Sequence, residues 1–117
     1  MLIVDDDVNL ADLIAITLDK RGHSTSVAYT VEQALALAPG FKPDAAVLDL
    51  SLGARSGYEV AAAFKSRLSL QGCRLVALTG NTGLTVRSLS EIAGFYRHLT
   101  KPVDISALFD AIEGEDE

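Results

Sequence analysis

The chain has 117 residues, which fits one domain and leaves little room for two. Its hydrophobic fraction of 49% is enough for an ordinary packed core, and its formal net charge of −6 comes without a basic cluster, which argues against direct nucleic-acid binding by this chain. The lone Cys73 excludes an internal disulfide and a cysteine-based metal site, and no apolar stretch reaches the roughly 20 residues of a membrane span.

Cys73 is expected as a reduced thiol, buried or half-buried. Met1 leads directly into an apolar run without a basic segment, so no signal peptide is expected and the expected location is cytoplasmic.

Short apolar runs alternate with longer amphipathic segments. Leu2 to Val4 reads as a first strand. Asn9 to Arg21 reads as a helix with Leu10, Ala11, Ile14 and Leu18 on one face, stopped by Gly22. Asp7 serves as its N-cap or first-turn acid. His23, just after Gly22, is expected at the surface. Ser24 to Ala28 is a weaker second strand.

Thr30-Val31-Glu32-Gln33 matches a capping box and opens a helix to about Ala38, closed by Pro39-Gly40. Ala45 to Asp49 is the third strand; its lack of alternation predicts burial on both faces. Further helices are expected over about 58–68 and 84–93, with a strand from Leu75 to Thr79 between them. Tyr96 to Thr100 is the fifth strand. Asp104 caps a last helix from Ile105 to Ile112, and the acidic end frays. Five βα units with right-handed crossovers give an α/β fold, a doubly wound sandwich around a parallel sheet.

The strand ends carry the chemistry. Asp5-Asp6-Asp7 follows the first strand, Asp49 ends the third, Thr79-Gly80 ends the fourth and Lys101-Pro102 follows the fifth. In open α/β sheets ligands bind outside the carboxyl ends of the strands. Carboxylates, a hydroxyl and an ammonium on one edge suit a metal and a phosphate.

Spacing sharpens the pattern: 30 positions separate Asp49 from Thr79, and 22 separate Thr79 from Lys101. With Leu50-Ser51-Leu52 and Ser56-Gly57-Tyr58-Glu59 in the loop after Asp49, the sequence resembles the receiver domain of two-component response regulators over essentially its whole length. The resemblance implies one receiver domain over 1–117, with a five-stranded parallel sheet in the order 2-1-3-4-5. It implies Asp49 as the phosphoacceptor, charged by a sensor histidine kinase or a histidine phosphotransfer domain. Asp6 and Asp49 would hold Mg²⁺ (or Mn²⁺) directly, Asp5 mainly through water, and the Ser51 backbone carbonyl would complete the set. Lys101 would contact the phosphoryl oxygens. Gly80 would leave room for the phosphate, and Thr79 would move toward it.

His98 stands three residues before the lysine, where the family usually carries Tyr or Phe. It would report the Thr79 shift, or else be only a partly exposed side chain at a strand end. Ser51 and Asn81 occupy positions that tune phosphoryl lifetime in the family. Gly53 replaces a common proline and is expected to loosen the Asp49 loop. The run His98 to Asp104 looks most like receivers attached to hybrid histidine kinases.

Taken one at a time, these residues are ordinary: an Asp at a strand end is usually a cap, and a lysine usually solvated. Their joint geometry carries the reading. Three other functions compete with it. Leu2 to Val8 also resembles the first motif of haloacid-dehalogenase-type phosphatases, with Asp5 as nucleophile and Asp7 as acid/base; those chains usually insert a cap for which this one has no room. A pseudo-receiver would use the fold for docking without phosphorylation, although all five key side chains are present. In a flavodoxin-like binder the carboxylates would repel a flavin phosphate. An output domain or a homodimer partner is possible; direct nucleic-acid or membrane binding is not expected.

Overall fold

The computed structural model describes residues 1–41, 43–50, 57–66, 72–80 and 95–113. Within them the order is β1 (Leu2–Val4), α1 (Val8–Lys20), β2 (Ser26–Ala28), α2 (Val31–Phe41), β3 (Ala45–Asp49), α3 (Gly57–Ser66), β4 (Arg74–Thr79), β5 (Arg97–Thr100) and α4 (Ile105–Glu113). The helix expected over 84–93 lies outside the described residues. The five strands form one parallel sheet in the order β2-β1-β3-β4-β5, as expected.

Two apolar layers sandwich the sheet. Val4, Leu48 and Ala77 face Ala34, Val60 and Phe64 from α2 and α3. Ile3, Val47, Val76 and Leu78 face Ile14, Leu18 and Leu108 from α1 and α4. All five β3 residues are buried, as expected for a strand covered on both faces. No described helix is long and apolar enough to cross a membrane.

The local signals act as the residues dictate. Asp7 caps α1 by accepting from the Leu10 N–H at 3.1 Å, and Gly22 ends it at φ 94°. Asp104 caps α4 through the Ser106 N–H at 2.9 Å. Thr30 Oγ1 accepts from the Gln33 N–H at 3.1 Å, but the Gln33 side chain reaches back to the Tyr29 N–H at 2.8 Å, one residue earlier than a capping box would have it. Cys73 is half-buried, and burial pushes its thiol up to about 12.

One expectation needs correction. Pro39-Gly40 does not close α2; the helix runs through both residues to Phe41. Proline removes a single backbone donor there, in the last turn, and Ala38 is buried against the sheet, so packing holds the turn. His23 lies partly exposed at the surface, as expected, and takes part in a side-chain cluster there. Its Nε2 lies 2.6 Å from Glu113 Oε2, while the Arg21 guanidinium pairs with the same carboxylate and stacks on the Phe109 ring at 4.0 Å.

This clasp joins the end of α1 to the end of α4. Hydrogen bonds from Arg21 and His23 hold the Glu113 carboxyl down at about 2, below its usual 4.5. A depressed acid contributes stability above its unfolded pKa and loses it as pH falls through the folded value. The stability difference between the wild type and Glu113→Gln should therefore be full above pH 4.5 and shrink toward pH 2 in urea unfolding. A difference that stays constant over that range would show that the clasp adds nothing.

Candidate functional site

The strand order reverses at β1, which lies between β2 and β3. That switch point opens a crevice at the carboxyl ends of β1 and β3. Register brings the acids there: Val4 pairs with Leu48, so the next residues, Asp5 and Asp49, fall side by side. The pleat then sets the face. Asp5, Asp49 and Lys101 continue the alternation of Ile3, Val47 and Leu99, the side covered by α1 and α4.

Asp5 is 0% exposed and Asp49 3%. Charges so deep need partners. The Lys101 ammonium lies 3.1 Å from Asp5 Oδ2 and 3.2 Å from Asp49 Oδ2. Asp5 Oδ1 accepts from the Asp7 N–H at 2.9 Å. Asp6 is exposed, yet one oxygen from each of Asp5, Asp6 and Asp49 lies within 4.8 Å of the others.

Backbone bonds fix the frame. The Leu50 N–H donates to Leu78 O at 2.9 Å and the Lys101 N–H to Thr79 O at 2.7 Å. The Lys101-Pro102 peptide is cis. Burial lowers the affinity of Lys101 for its proton, but the Asp5 and Asp49 carboxylates outweigh that and raise it above the usual lysine value. The ammonium therefore stays charged beside the acids.

The donor set fits a hard divalent cation. All three side chains offer carboxylate oxygen. Asp5 Oδ2 is sealed from water and faces the ammonium as an ion pair, without a well-directed hydrogen bond. Three like charges this close favour a neutralising cation.

Thr79 is buried at the end of β4, beside Thr100. His98 pairs in register with Ala77 and is half-buried on β5. It therefore shares the Thr79 face of the sheet, one pleat earlier. A Cβ at Gly80 would meet nothing within 4 Å, so space is open beside Thr79. Ser51, Gly53 and Asn81 lie outside the described residues.

One close contact was not foreseen. A Cβ at Gly57 would lie 2.2 Å from the Asp49 carbonyl oxygen. Its sequence signal was weak: a glycine at a helix start, where no turn demands one.

A buried carboxylate beside an ammonium and a metal-ready acidic cluster, at the switch point of a doubly wound sheet, is suited to holding a cation and an anionic group. The model of the response regulator receiver domain matches residues 1–113, and the chain belongs to that family. Such domains are regulatory phosphoacceptors, not enzymes in the ordinary sense.

The photosynthetic apparatus regulatory protein RegA of Rhodobacter capsulatus is 32% identical over 112 residues, 96% of this chain and 60% of that protein. Sporulation initiation phosphotransferase F of Bacillus subtilis (strain 168) is 28% identical over 113 residues, 97% of this chain and 90% of that protein. A response regulator from Burkholderia pseudomallei, solved with a phosphorylated aspartic acid, calcium ion and citrate, superposes with a TM-score of 0.87 at 27% identity. That match covers 95% of this chain and 64% of the other. The chain spans about three fifths of the length of several curated relatives it matches, RegA among them.

Proposed function

We propose that the chain is a phosphoacceptor switch of a two-component phosphorelay, with residues 1–117 acting as one receiver unit and Asp49 as acceptor. The observation that carries this is the placement of a nearly buried Asp49 carboxylate 3.2 Å from the Lys101 ammonium, within the Asp5-Asp6-Asp49 cluster. The similar protein with a phosphorylated aspartic acid and a calcium ion supports the same chemistry.

An Asp49 oxygen attacks the phosphorus of a phosphohistidine on a sensor kinase or phosphotransfer domain. The new O–P bond forms as the P–N bond breaks, and its electron pair leaves with the imidazole. Asp5, Asp6 and Asp49, with the Ser51 carbonyl, would hold Mg²⁺ or Mn²⁺. When bound, that ion offsets the repulsion between carboxylate and phosphoryl group. Lys101 is already aimed at the Asp49 oxygen and takes the transferred phosphoryl charge. Ser51 and Asn81 would tune how fast water removes it.

Thr79 would then close on the phosphoryl group through the open space at Gly80. His98, on the same face, would follow. The surface of residues 84–93, β5 and α4 would thereby change for an output domain, a second copy or another partner. This reading places the chain in the cytoplasm, where its donors act.

The phosphatase reading is weaker. Asp5 is sealed and tied to the Asp7 N–H and Lys101, and Asp7 caps α1. Neither is placed for nucleophile or acid/base work.

Incubation with acetyl phosphate, with and without Mg²⁺, followed by peptide mapping, tests the proposal. One Mg²⁺-dependent phosphoryl group on Asp49 is expected. An unmodified chain under all conditions would leave only a docking module, and continuous phosphate release requiring Asp5 would revive the phosphatase.

A further inference from the structure

The Asp49 backbone is held at two points. At one, β4 holds it: Asp49 pairs with Leu78, and the Leu50 N–H donates to Leu78 O at 2.9 Å. The first residue of α3 also closes directly on its peptide. A Cβ at Gly57 would lie 2.2 Å from the Asp49 carbonyl oxygen, 3.0 Å from its carbonyl carbon and 3.3 Å from Leu50 Cα. All three are backbone atoms and cannot swing aside as a side-chain tip would.

Gly57 does not share the positive φ of Gly22. Contact, not backbone conformation, is therefore what demands a glycine there. We infer that Gly57 is a positioning residue for the phosphoacceptor, its bare Cα letting α3 set the Asp49 backbone against β4. The inference rests on the reading of Asp49 as acceptor.

A methyl group at this position needs about 1 Å of relief to reach an ordinary contact. The β3–β4 ladder resists movement of Asp49, and α3 is anchored by buried Val60, Ala61 and Phe64. Any yield on the Asp49 side moves its carboxylate relative to Lys101 and to the Asp5 and Asp6 oxygens. Misplacement on that scale can slow a positioned reaction by about a hundredfold.

The test compares the wild type, Gly57→Ala and Gly72→Ala. Gly72 is the control, since a Cβ there meets nothing within 4 Å. Two quantities are read: the Mg²⁺-induced rise in thermal midpoint, and the initial rate of Asp49 phosphorylation by acetyl phosphate per folded molecule. The midpoint rise reports metal binding even in a destabilised chain.

Gly57→Ala should lose most of the Mg²⁺-induced rise and phosphorylate about 10- to 100-fold more slowly, with Gly72→Ala unchanged in both. A lower midpoint with a wild-type Mg²⁺ response and rate would overturn the inference. So would a Gly57→Ala chain with no cooperative transition, because position 57 would then support the fold and not the site. A wild type that takes no phosphoryl group on Asp49 would instead sink the acceptor reading, and this inference with it.

Discussion

Asp49→Asn should fold as the wild type does and take up no phosphoryl group from acetyl phosphate at any Mg²⁺ concentration. The amide matches the carboxylate in shape, so the tight fit between β4 and Gly57 survives. Its nitrogen lone pair is delocalised and its oxygen carries no full charge, so it has no nucleophile to offer. Stability is set by two opposed changes. The substitution removes the ion pair at 3.2 Å from Lys101, which retains Asp5 at 3.1 Å. It also relieves crowding among carboxylates that lie within 4.8 Å of one another. Both involve buried charge, and their difference should be small in the metal-free chain.

With Mg²⁺ present the balance changes. One of the three clustered carboxylate charges is gone, so the thermal midpoint of Asp49→Asn should rise less with added Mg²⁺ than that of the wild type. Intact mass and a Mg²⁺ titration of the midpoint read the two effects separately. An adduct forming as fast in Asp49→Asn as in the wild type would move the acceptor elsewhere.

The parts of this site legible in the sequence are those written into single strands. Ala45 to Asp49 is apolar until its last residue, so both its burial and the exit of its carboxylate at the sheet edge could be read directly. Leu75 to Thr79 and the Lys101-Pro102 step behave likewise. Once five strands run parallel, register does the rest: Asp5 comes beside Asp49 because Val4 pairs with Leu48.

What stayed hidden depends on contacts across the chain. The Arg21-His23-Glu113 clasp joins residues about 90 positions apart and has no local pattern. Pro39-Gly40 is a sound stop signal by local rules, but burial of Ala38 carries α2 past it. Gly57 read as a loop glycine because its neighbour, the Asp49 carbonyl, is set by tertiary packing. The tie of Lys101 to Asp5 escaped for a related reason: an ammonium expected to wait for a phosphate instead bridges two buried acids beforehand.

That double duty makes Lys101→Ala informative. In the wild type the ammonium sits between Asp5 and Asp49 carboxylates whose side chains are 0% and 4% exposed, while its own is 27% exposed. Removing it leaves two buried carboxylates facing each other. Breaking a fully buried pair costs about 3–5 kcal/mol. Water can enter through the partly exposed lysine position, so about 2 kcal/mol is expected in the metal-free chain. Mg²⁺ can supply the missing positive charge. Lys101→Ala should therefore be clearly less stable than the wild type in chelator, and the gap should narrow in saturating Mg²⁺.

Phosphoryl transfer should not recover in the same way. A bound cation restores the charge balance of the acids but does not replace an ammonium aimed at the phosphoryl oxygens. Loss of one preorganised donor of this kind slows transfer by about 10²–10³-fold. Lys101→Arg separates the two roles further. It should regain stability, because its charge is retained, but not the full rate, since a planar fork does not reproduce a compact ammonium. Urea unfolding in chelator and in Mg²⁺, paired with phosphorylation rates, reads each role on its own axis. If Lys101→Ala matched the wild type in metal-free stability, the ion pairs to Asp5 and Asp49 would carry no weight in the fold. If it matched the wild-type rate in Mg²⁺, Lys101 would have no part in the transfer.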